Sequence, residues 1–468
     1  MHVIADLQIH SKYSRATSKK LNLTHALGWA MRKGIGLLAT GDWSHPLWMR
    51  EIEANLEENG TGLLQLKKGV EPEEVLQSPV PYATSDRAKP QYLLATEVSC
   101  IFSQGGKGRR VHTLIWVPTI ASAQKINREM TKQGCNLMSD GRPIIGLSSI
   151  QVADLVFNIE PKALVIPAHA WTPWFSTFGS MSGFDSIEEA FGKFAPQIYA
   201  IETGLSSSPD MNWRITELDN RSIISCSDAH SGAKFGREAT VFHIPDGKLT
   251  YDAIYEAIKG SSRTGKPSIA YTIEFYPEEG KYHYTGHRNC KIRLTPEESR
   301  EQGVTCSVCG KGLTQGVMQR VEELAGRSEE SLKLDVKKLD VPGVSDTIHA
   351  TYSNAFPDRP PFVMIVPLQE IIAEAIGSPF HSPKVYRLYE PLTRELGGEF
   401  QILMQADTKD IARIAGERVA EGVRKVRARD IVIDPGYDGV FGVVKLWREE
   451  DDGPLVDNDA SQLSMFSD

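Results

Sequence analysis

The sequence predicts an α/β fold of repeated strand–helix units, followed by a small cysteine-bearing segment and a mainly helical C-terminal region. Three observations carry that expectation. Short apolar runs recur through residues 1–275, several of them followed by a segment of helical period. Histidines and acids stand at the C-terminal ends of nearly all of these runs. Three of the six cysteines fall within residues 290–309.

The runs VIADLQI, GIGLLATGD, YLLATEVS, HTLIWVP, ALVIPAHA, IYAIETG and SIISCSDAH each have the length and β-branched content of a buried strand. LTHALGWAMRKG and SIEEAFGKFAP have helical spacing between them. Strands alternating with helices predict a parallel sheet or an α/β barrel, and both place their sites at the C-terminal strand ends. Residues 276–330 form a distinct segment with two histidines and the clustered cysteines. From about 331 the pattern becomes mostly helical, with PLQEIIAEAIG and DTKDIARIAGERVAEGVRKVRARD as the clearest stretches. The turn Pro435-Gly436-Tyr437-Asp438-Gly439 between two apolar runs predicts a β-hairpin. The expected division is 1–275, 276–330, 331–448 as a helical DNA-binding domain, and a disordered acidic tail at 449–468.

The chain has 468 residues, enough for several domains and a large core without staples. At 41% hydrophobic and 24% charged it has an ordinary globular composition, which excludes a disordered or collagen-like chain. No run of 18 apolar residues predicts a membrane span, and the N-terminus lacks the order of a signal peptide. With few cysteines and three of them clustered, a reduced, cytoplasmic protein with a metal site is expected rather than a disulfide framework.

The net charge of −8 argues at face value against a nucleic-acid partner. Its distribution changes that reading. Seven acids and no Lys or Arg follow Arg448, so the body that precedes them is near neutral. Positive charge gathers at Lys12, Arg15, Lys19 and Lys20, at Lys107, Arg109 and Arg110, and at Arg424, Lys425, Arg427 and Arg429.

The strand ends carry His10, Asp42, His45, Glu97, His112, His169, Glu202, Asp228 and His230. Imidazole and carboxylate are the donors that a cluster of hydrolytic divalent metals requires, with a carboxylate able to bridge two ions. His287-x2-Cys290 and Cys306-x2-Cys309, 15 residues apart, have the spacing of a closed, tetrahedral, structural Zn2+ site, with His283 a competing fourth ligand.

Two kinds of surface could meet DNA. Lys107, Arg109 and Arg110 lie in a Gly-rich turn beside the run that holds His112; it is either a solvated hairpin tip or a phosphate contact. Arg424 and Lys425 belong to a basic helical stretch that either tracks a backbone or is simply solvated. Trp171, Trp174 and Phe175 follow His169 closely, as part of a covered loop or as a stacking surface for an extruded base.

The segments ADLQIHSKYS, GDWSHP, ATEVS, HTLIWVP, PAHAWTPW and CSDAHS resemble the PHP (polymerase and histidinol phosphatase) metal-hydrolase family. More narrowly, the whole chain, including the zinc segment and GYDGVFGVV, resembles the endonuclease Q family. The resemblance implies a PHP-type distorted β/α barrel holding up to three metals (Zn2+, Mn2+ or Mg2+), a small zinc-binding domain and a mainly helical C-terminal domain. It implies ligand roles for His10, Glu97, His112, His169, Asp228 and His230, with Glu97 bridging and His45, near Asp42, on a third metal. Glu97, Asp228 and His230 are the catalytic candidates.

The implied activity is hydrolysis of the phosphodiester 5′ of uracil, hypoxanthine, xanthine or an abasic site in DNA, leaving a 3′-hydroxyl and a 5′-phosphate. Two departures stand against the pattern. Gln8 occupies the place where PHP domains carry the first of two histidines, and the second run has Asp42-Trp43-Ser44-His45 instead of adjacent Asp-His. The alternatives are a small-molecule phosphoesterase resembling histidinol phosphatase, and a non-catalytic DNA-binding scaffold tethered to a clamp. Gln462, Leu463, Met465 and Phe466 resemble the peptide by which bacterial proteins bind the sliding clamp, with Met465 in place of Leu. A cytoplasmic, nucleoid-associated location follows from these partners.

Overall fold

The computed structural model describes residues 1–76, 89–260 and 265–448. The clamp-like residues Gln462, Leu463, Met465 and Phe466, with the rest of 449–468, lie outside them. The fold is mixed α/β, with a large central sheet and a helical C-terminal region.

Each apolar run of the first 275 residues becomes a strand: His2–Asp6, Leu37–Ala39, Gln91–Gln104, Lys107–Val117, Leu164–Pro167, Ala200–Glu202 and Ser222–Ile224. The sheet runs in the order His2–Asp6, Leu37–Ala39, Gln91–Gln104, with these neighbours parallel. The expectation of parallel strands fails further along. Gln91–Gln104 and Lys107–Val117 form an antiparallel hairpin, and Leu164–Pro167 and Ala239–His243 also pair antiparallel to their neighbours. The hairpin turn is Gly105-Gly106, both at positive φ (62° and 74°), the geometry in which two glycines follow the twist of the flanking strands.

Between Ser222–Ile224 and Ala239–His243 the link is made by hydroxyls. The Ser225 amide donates to Thr240 Oγ1 at 2.9 Å, and that hydroxyl donates to the Ser225 carbonyl at 3.0 Å. The Ser225 hydroxyl in turn donates to Glu274 of the strand Ser268–Glu274.

Residues 331–366 depart from the helical expectation. Leu334–Lys338, His349–Ser353 and Phe362–Met364 are strands, and Phe362–Met364 pairs parallel with Ser268–Glu274, extending the central sheet. The physical reason is pairing from both sides: HATYS, with Ala350, Thr351 and Ser353 buried, lies between Leu334–Lys338 and Phe362–Met364 and satisfies its backbone in their ladders. Helices follow from Leu368 onward, Leu368–Ala375, Pro383–Glu395, Glu399–Met404, Thr408–Ala415 and Glu417–Ala428. The hairpin expected around Pro435–Gly439 is formed by Val432–Asp434 and Val443–Lys445. Among the described residues no helix is long and apolar enough to cross a membrane.

The helical region is bolted to the sheet through the helix Leu23–Lys33. Asn22 caps its start by accepting from the His25 amide, and Gly34, at φ 87°, ends it. At that C-terminal end Lys33 is fully buried, and its ammonium lies 2.7 Å from Glu399 Oε2. Tyr389 donates to the same oxygen at 2.6 Å, and the Leu368 amide donates to Glu399 Oε1 at 3.1 Å. Arg32 reaches Thr393 Oγ1 at 3.1 Å. A buried ion pair is a weak net stabiliser, but removing one partner strands the other charge in a low-dielectric interior. Lys33→Met should therefore lower unfolding stability by about 3–5 kcal/mol. The double variant Lys33→Met/Glu399→Leu should lose less than the single one; denaturant titration measures both.

Candidate metal centre

The pairing register brings the first ligands together. In the hairpin Glu97 lies opposite Leu114 and Ser99 opposite His112, so Glu97 and His112 share one face as diagonal neighbours. Leu164–Pro167 pairs with the His112 strand, and the Ala168 amide donates to the His112 carbonyl at 3.2 Å, which places His169 next in line. On the other side Ile9 bridges Ala229, and the His10 amide donates to the Ala229 carbonyl at 3.0 Å. That single link sets His10 between Asp228 and His230. Asp42, His169 and Asp228 all adopt positive φ (45°, 29° and 47°), an uncommon conformation for such residues that turns the chain sharply at a strand end.

Two groups of ligand-type side chains result: His10, Asp228 and His230, and Glu97, His112 and His169, each with its donor atoms within 4.8 Å of one another. Glu97 joins them. Its Oε2 lies 3.1 Å from His10 Nε2, while its Oε1 lies 2.6 Å from His112 Nδ1 and 3.3 Å from His169 Nε2. The 2.6 Å approach lacks hydrogen-bond alignment, and Oε1 has no hydrogen-bond partner. The imidazole nitrogens of His112 and His169 face each other at 3.0 Å. Lone pairs converging in this way suit a shared cation, and imidazole with carboxylate suits Zn2+ or Mn2+. The donors present therefore fit the divalent ions that the PHP resemblance implies.

Each imidazole is aimed by its second nitrogen or its backbone. His10 Nδ1 lies 2.9 Å from Asp42 Oδ1, leaving Nε2 toward Asp228 at 3.0 Å. His230 Nδ1 bonds the Asp228 carbonyl at 2.9 Å, and His169 Nδ1 meets Thr172 Oγ1 at 3.2 Å. Asp42 stands apart from both ligand groups. Its Oδ2 accepts from the Ser11 amide (2.6 Å), the Ser11 hydroxyl (2.7 Å) and the Ser14 hydroxyl (2.8 Å), so the carboxylate serves to hold His10. Glu202 likewise accepts from the His169 amide at 2.7 Å; burial and the nearby Asp228 and Glu97 carboxylates push its pKa well above the usual range. His45 stacks on Tyr13, with ring centroids 4.5 Å apart, and its buried Nδ1 has no partner; it too is outside the two groups. Gln8 sits at the centre, donating to Glu97 Oε2 at 3.1 Å.

Burial pushes the pKa of His112 down to about 4, which keeps its imidazole neutral and free to act as a ligand at neutral pH. For Asp228, burial pushes upward, but the hydrogen bond from His10 and the nearby His230 win and hold the carboxyl at about 2.

Sequence reasoning missed Arg142. Its guanidinium NH1 lies 3.4 Å from Glu97 Oε2, at the edge of the centre. A lone arginine in an Asp-Gly-Arg-Pro loop carries no sequence signal that would mark it. Ser11 and Ser14 were missed for the same reason, since short hydroxyl side chains are common everywhere.

The zinc-type residues also converge. His287, Cys290, Cys306 and Cys309 have their donor atoms within 4.8 Å of one another, with His287 Nδ1 3.4 Å from Cys309 Sγ. The Cys306 amide donates to the Lys311 carbonyl (2.7 Å) and the Gly310 amide to the Cys306 carbonyl (2.9 Å), with Gly310 at φ 71° closing the tight turn. The four donors fit tetrahedral Zn2+. His283 is buried outside this group, and burial lowers its pKa to about 4.

The residues considered for DNA contact divide. Lys107 and Arg110 are exposed, Arg110 5.9 Å from the Phe175 ring. Arg109 is buried on Glu189 Oε1 at 2.7 Å and over the Phe184 ring. Trp171 is 1% exposed and donates to Asn212 Oδ1 at 2.7 Å, so it packs the interior and presents no face for a base. Trp174 and Phe175 are half-buried, Trp174 edge-on to Tyr282 of the zinc segment and Phe175 against His112. Arg424 is exposed, and Lys425 is paired with Asp430 at 2.7 Å.

The family described as the MJ0043 C-terminal domain matches residues 367–430, the helical region. The Methanocaldococcus jannaschii protein MJ0043 is 30% identical over 311 residues, 64% of this chain; the match spans only 35% of that relative's length. The Bacillus subtilis protein YqxK is 29% identical over 75% of this chain and 78% of its own. The crystal structure of a lesion-specific endonuclease from Pyrococcus furiosus superposes with a TM-score of 0.75 at 28% identity, covering 95% of each chain. Endonuclease Q in complex with a 27-mer duplex bearing an abasic lesion at its active site superposes equally well, at 29% identity, over 96% of this chain and 98% of that one. The chain therefore shares the endonuclease Q fold over 95–96% of its length.

Proposed function

We propose that this protein is a metal-dependent, lesion-specific DNA endonuclease on a PHP-type barrel, hydrolysing the phosphodiester 5′ of deaminated bases (uracil, hypoxanthine, xanthine) or abasic sites. The observation that carries this reading is the Glu97 carboxylate shared between two groups of ligand-type side chains. The likeness to an endonuclease Q structure holding an abasic-lesion duplex supports DNA as the substrate.

His10, Asp228 and His230 would hold one divalent cation and His112 and His169 another, with Glu97 between them. Ions held there supply Lewis acidity toward phosphate oxygens and lower the pKa of an attacking water. The chain's own part is orientation. Asp42 keeps His10 Nε2 facing inward, Glu202 fixes the His169 turn, and Gln8 steadies the Glu97 oxygen that faces His10. Trp174 and Phe175, half-buried beside the centre, offer apolar faces to an extruded base, while Lys107, Arg110 and Arg424 remain available to phosphates.

Asp228→Asn or His230→Ala should abolish nicking of duplexes containing inosine or an abasic site while DNA binding persists. A nicking assay with a parallel mobility shift reads both, and near wild-type nicking by both variants rejects the mechanism. Intact duplex should resist cleavage.

His287, Cys290, Cys306 and Cys309 are proposed to hold a structural zinc separate from catalysis. Cys306→Ser should lose the zinc of that site and some thermal stability while retaining the other metals, as elemental analysis of the purified variant would record. The tail residues Gln462, Leu463, Met465 and Phe466 are proposed to dock on a sliding clamp. Deleting 461–468 should leave nicking of naked oligonucleotides unchanged and remove clamp binding, measurable by surface plasmon resonance.

A further inference from the structure

Arg142 is the charged side chain at the centre for which the reading above has no use. It approaches between the two ligand groups, with its side chain 27% exposed and its NH1 3.4 Å from Glu97 Oε2. That long single contact is the one hydrogen bond its guanidinium makes among the described residues. The carboxylates of Asp228, Asp140 and Asp42 surround it at longer range.

The loop is built to deliver this residue. On one side the Gly141 amide donates to the Tyr13 carbonyl at 3.1 Å, and Ser44 donates to the Gly141 carbonyl at 3.3 Å. Gly141 lies directly on Asp42 and Ser14, so closely that any Cβ would collide with both side chains. On the other side the Ser99 amide donates to the Pro143 carbonyl at 3.0 Å, and Ile144–Ile145 pairs with the strand that carries Glu97. The Arg142 amide itself donates to Asp140 Oδ1 at 2.9 Å. A residue pinned on both flanks to the His10 and Glu97 supports has little freedom to point elsewhere.

Its chemistry then decides what it does. Guanidinium stays charged at any physiological pH, and its planar fork matches a phosphate. Glu97 is its nearest anion, yet that carboxylate is the one shared by the two ligand groups. Divalent cations in those groups would draw on the charge of Glu97 and Asp228, leaving the guanidinium's donors for an anion that enters between them.

We propose that Arg142 is the phosphate clamp of this centre, binding the non-bridging oxygens of the phosphate at the cleavage position. This rests on the nuclease reading given above.

The test uses full-length, metal-loaded protein and pre-nicked duplexes whose 5′ end at the lesion carries either a phosphate or a hydroxyl, so that nothing is cleaved during the measurement. Wild type should prefer the 5′-phosphate duplex, and Arg142→Gln should lose that preference by about tenfold, a change of about 1.4 kcal/mol. Arg142→Lys, which keeps the charge but not the fork, should recover part of it. Metal content should be the same in all three proteins, and nicking by Arg142→Gln should fall by about 100-fold in kcat. An unchanged phosphate preference in Arg142→Gln overturns the proposal. So does loss of metal from that variant, which would make Arg142 a support for Glu97 alone. If wild type nicks no lesion duplex at all, the nuclease reading fails first, and the two failures are distinct.

Discussion

The structure depends on one buried carboxylate facing two ways. Glu97 is 2% exposed, and its two oxygens are divided between His10 on one side and His112 with His169 on the other. A charge withdrawn from water in this manner is costly unless it is met by opposite charge or hydrogen bonds. Burial alone would push its carboxyl up; Arg142, His112 and His10 reverse that and hold it well below the usual range. Everything that positions those partners, from the hairpin register to the Ile9–Ala229 bridge, is constrained by that requirement.

Around it stands a layer of acids that accept hydrogen bonds from protein groups. Asp42 holds His10 and two serines, and Glu202 holds the His169 amide. Asp6 accepts from the Ser227 amide and hydroxyl and from the Gly236 amide, tying the Asp228 loop to the first strand; burial raises its pKa to about 6. These contacts hold the positive-φ turns at Asp42, His169 and Asp228, each a conformation that costs on the order of 1–3 kcal/mol. The strain is concentrated where side chains must project from strand ends into one small volume, and the packed sheet below absorbs it.

The C-terminal helices are tied to the sheet by polar groups as well as by apolar packing. Lys33, Glu399 and Tyr389 form a buried network at the end of a helix that follows the first strand. Phe400 packs against Gly34 and Gly236, and at Gly236, with φ 68°, a Cβ would collide with the Phe400 ring. The Asp228 loop and the helical region therefore meet through Gly236, two residues from Lys234 and next to Arg237, both of which pair with Glu370.

By itself the sequence determined seven strands of the first 275 residues, the histidines and acids at their ends, and the His-Cys spacing of the zinc-type group, because period and spacing are local properties. Resemblance in the same segments pointed to the family. Tertiary structure decided the rest. It made 331–366 part of the sheet, since a strand's partner can lie far away in the chain. It set Asp42 and His45 apart from the two ligand groups although their residue types suit a metal, because ligation depends on where the lone pairs point once the backbone has turned. It took Trp171 and Arg109 into the interior and left Trp174 half-buried and Arg110 exposed, differences between near neighbours that the folded backbone imposes. And it brought Arg142 to Glu97 across 45 residues of chain, a proximity that arises only when two separately anchored strands are laid side by side.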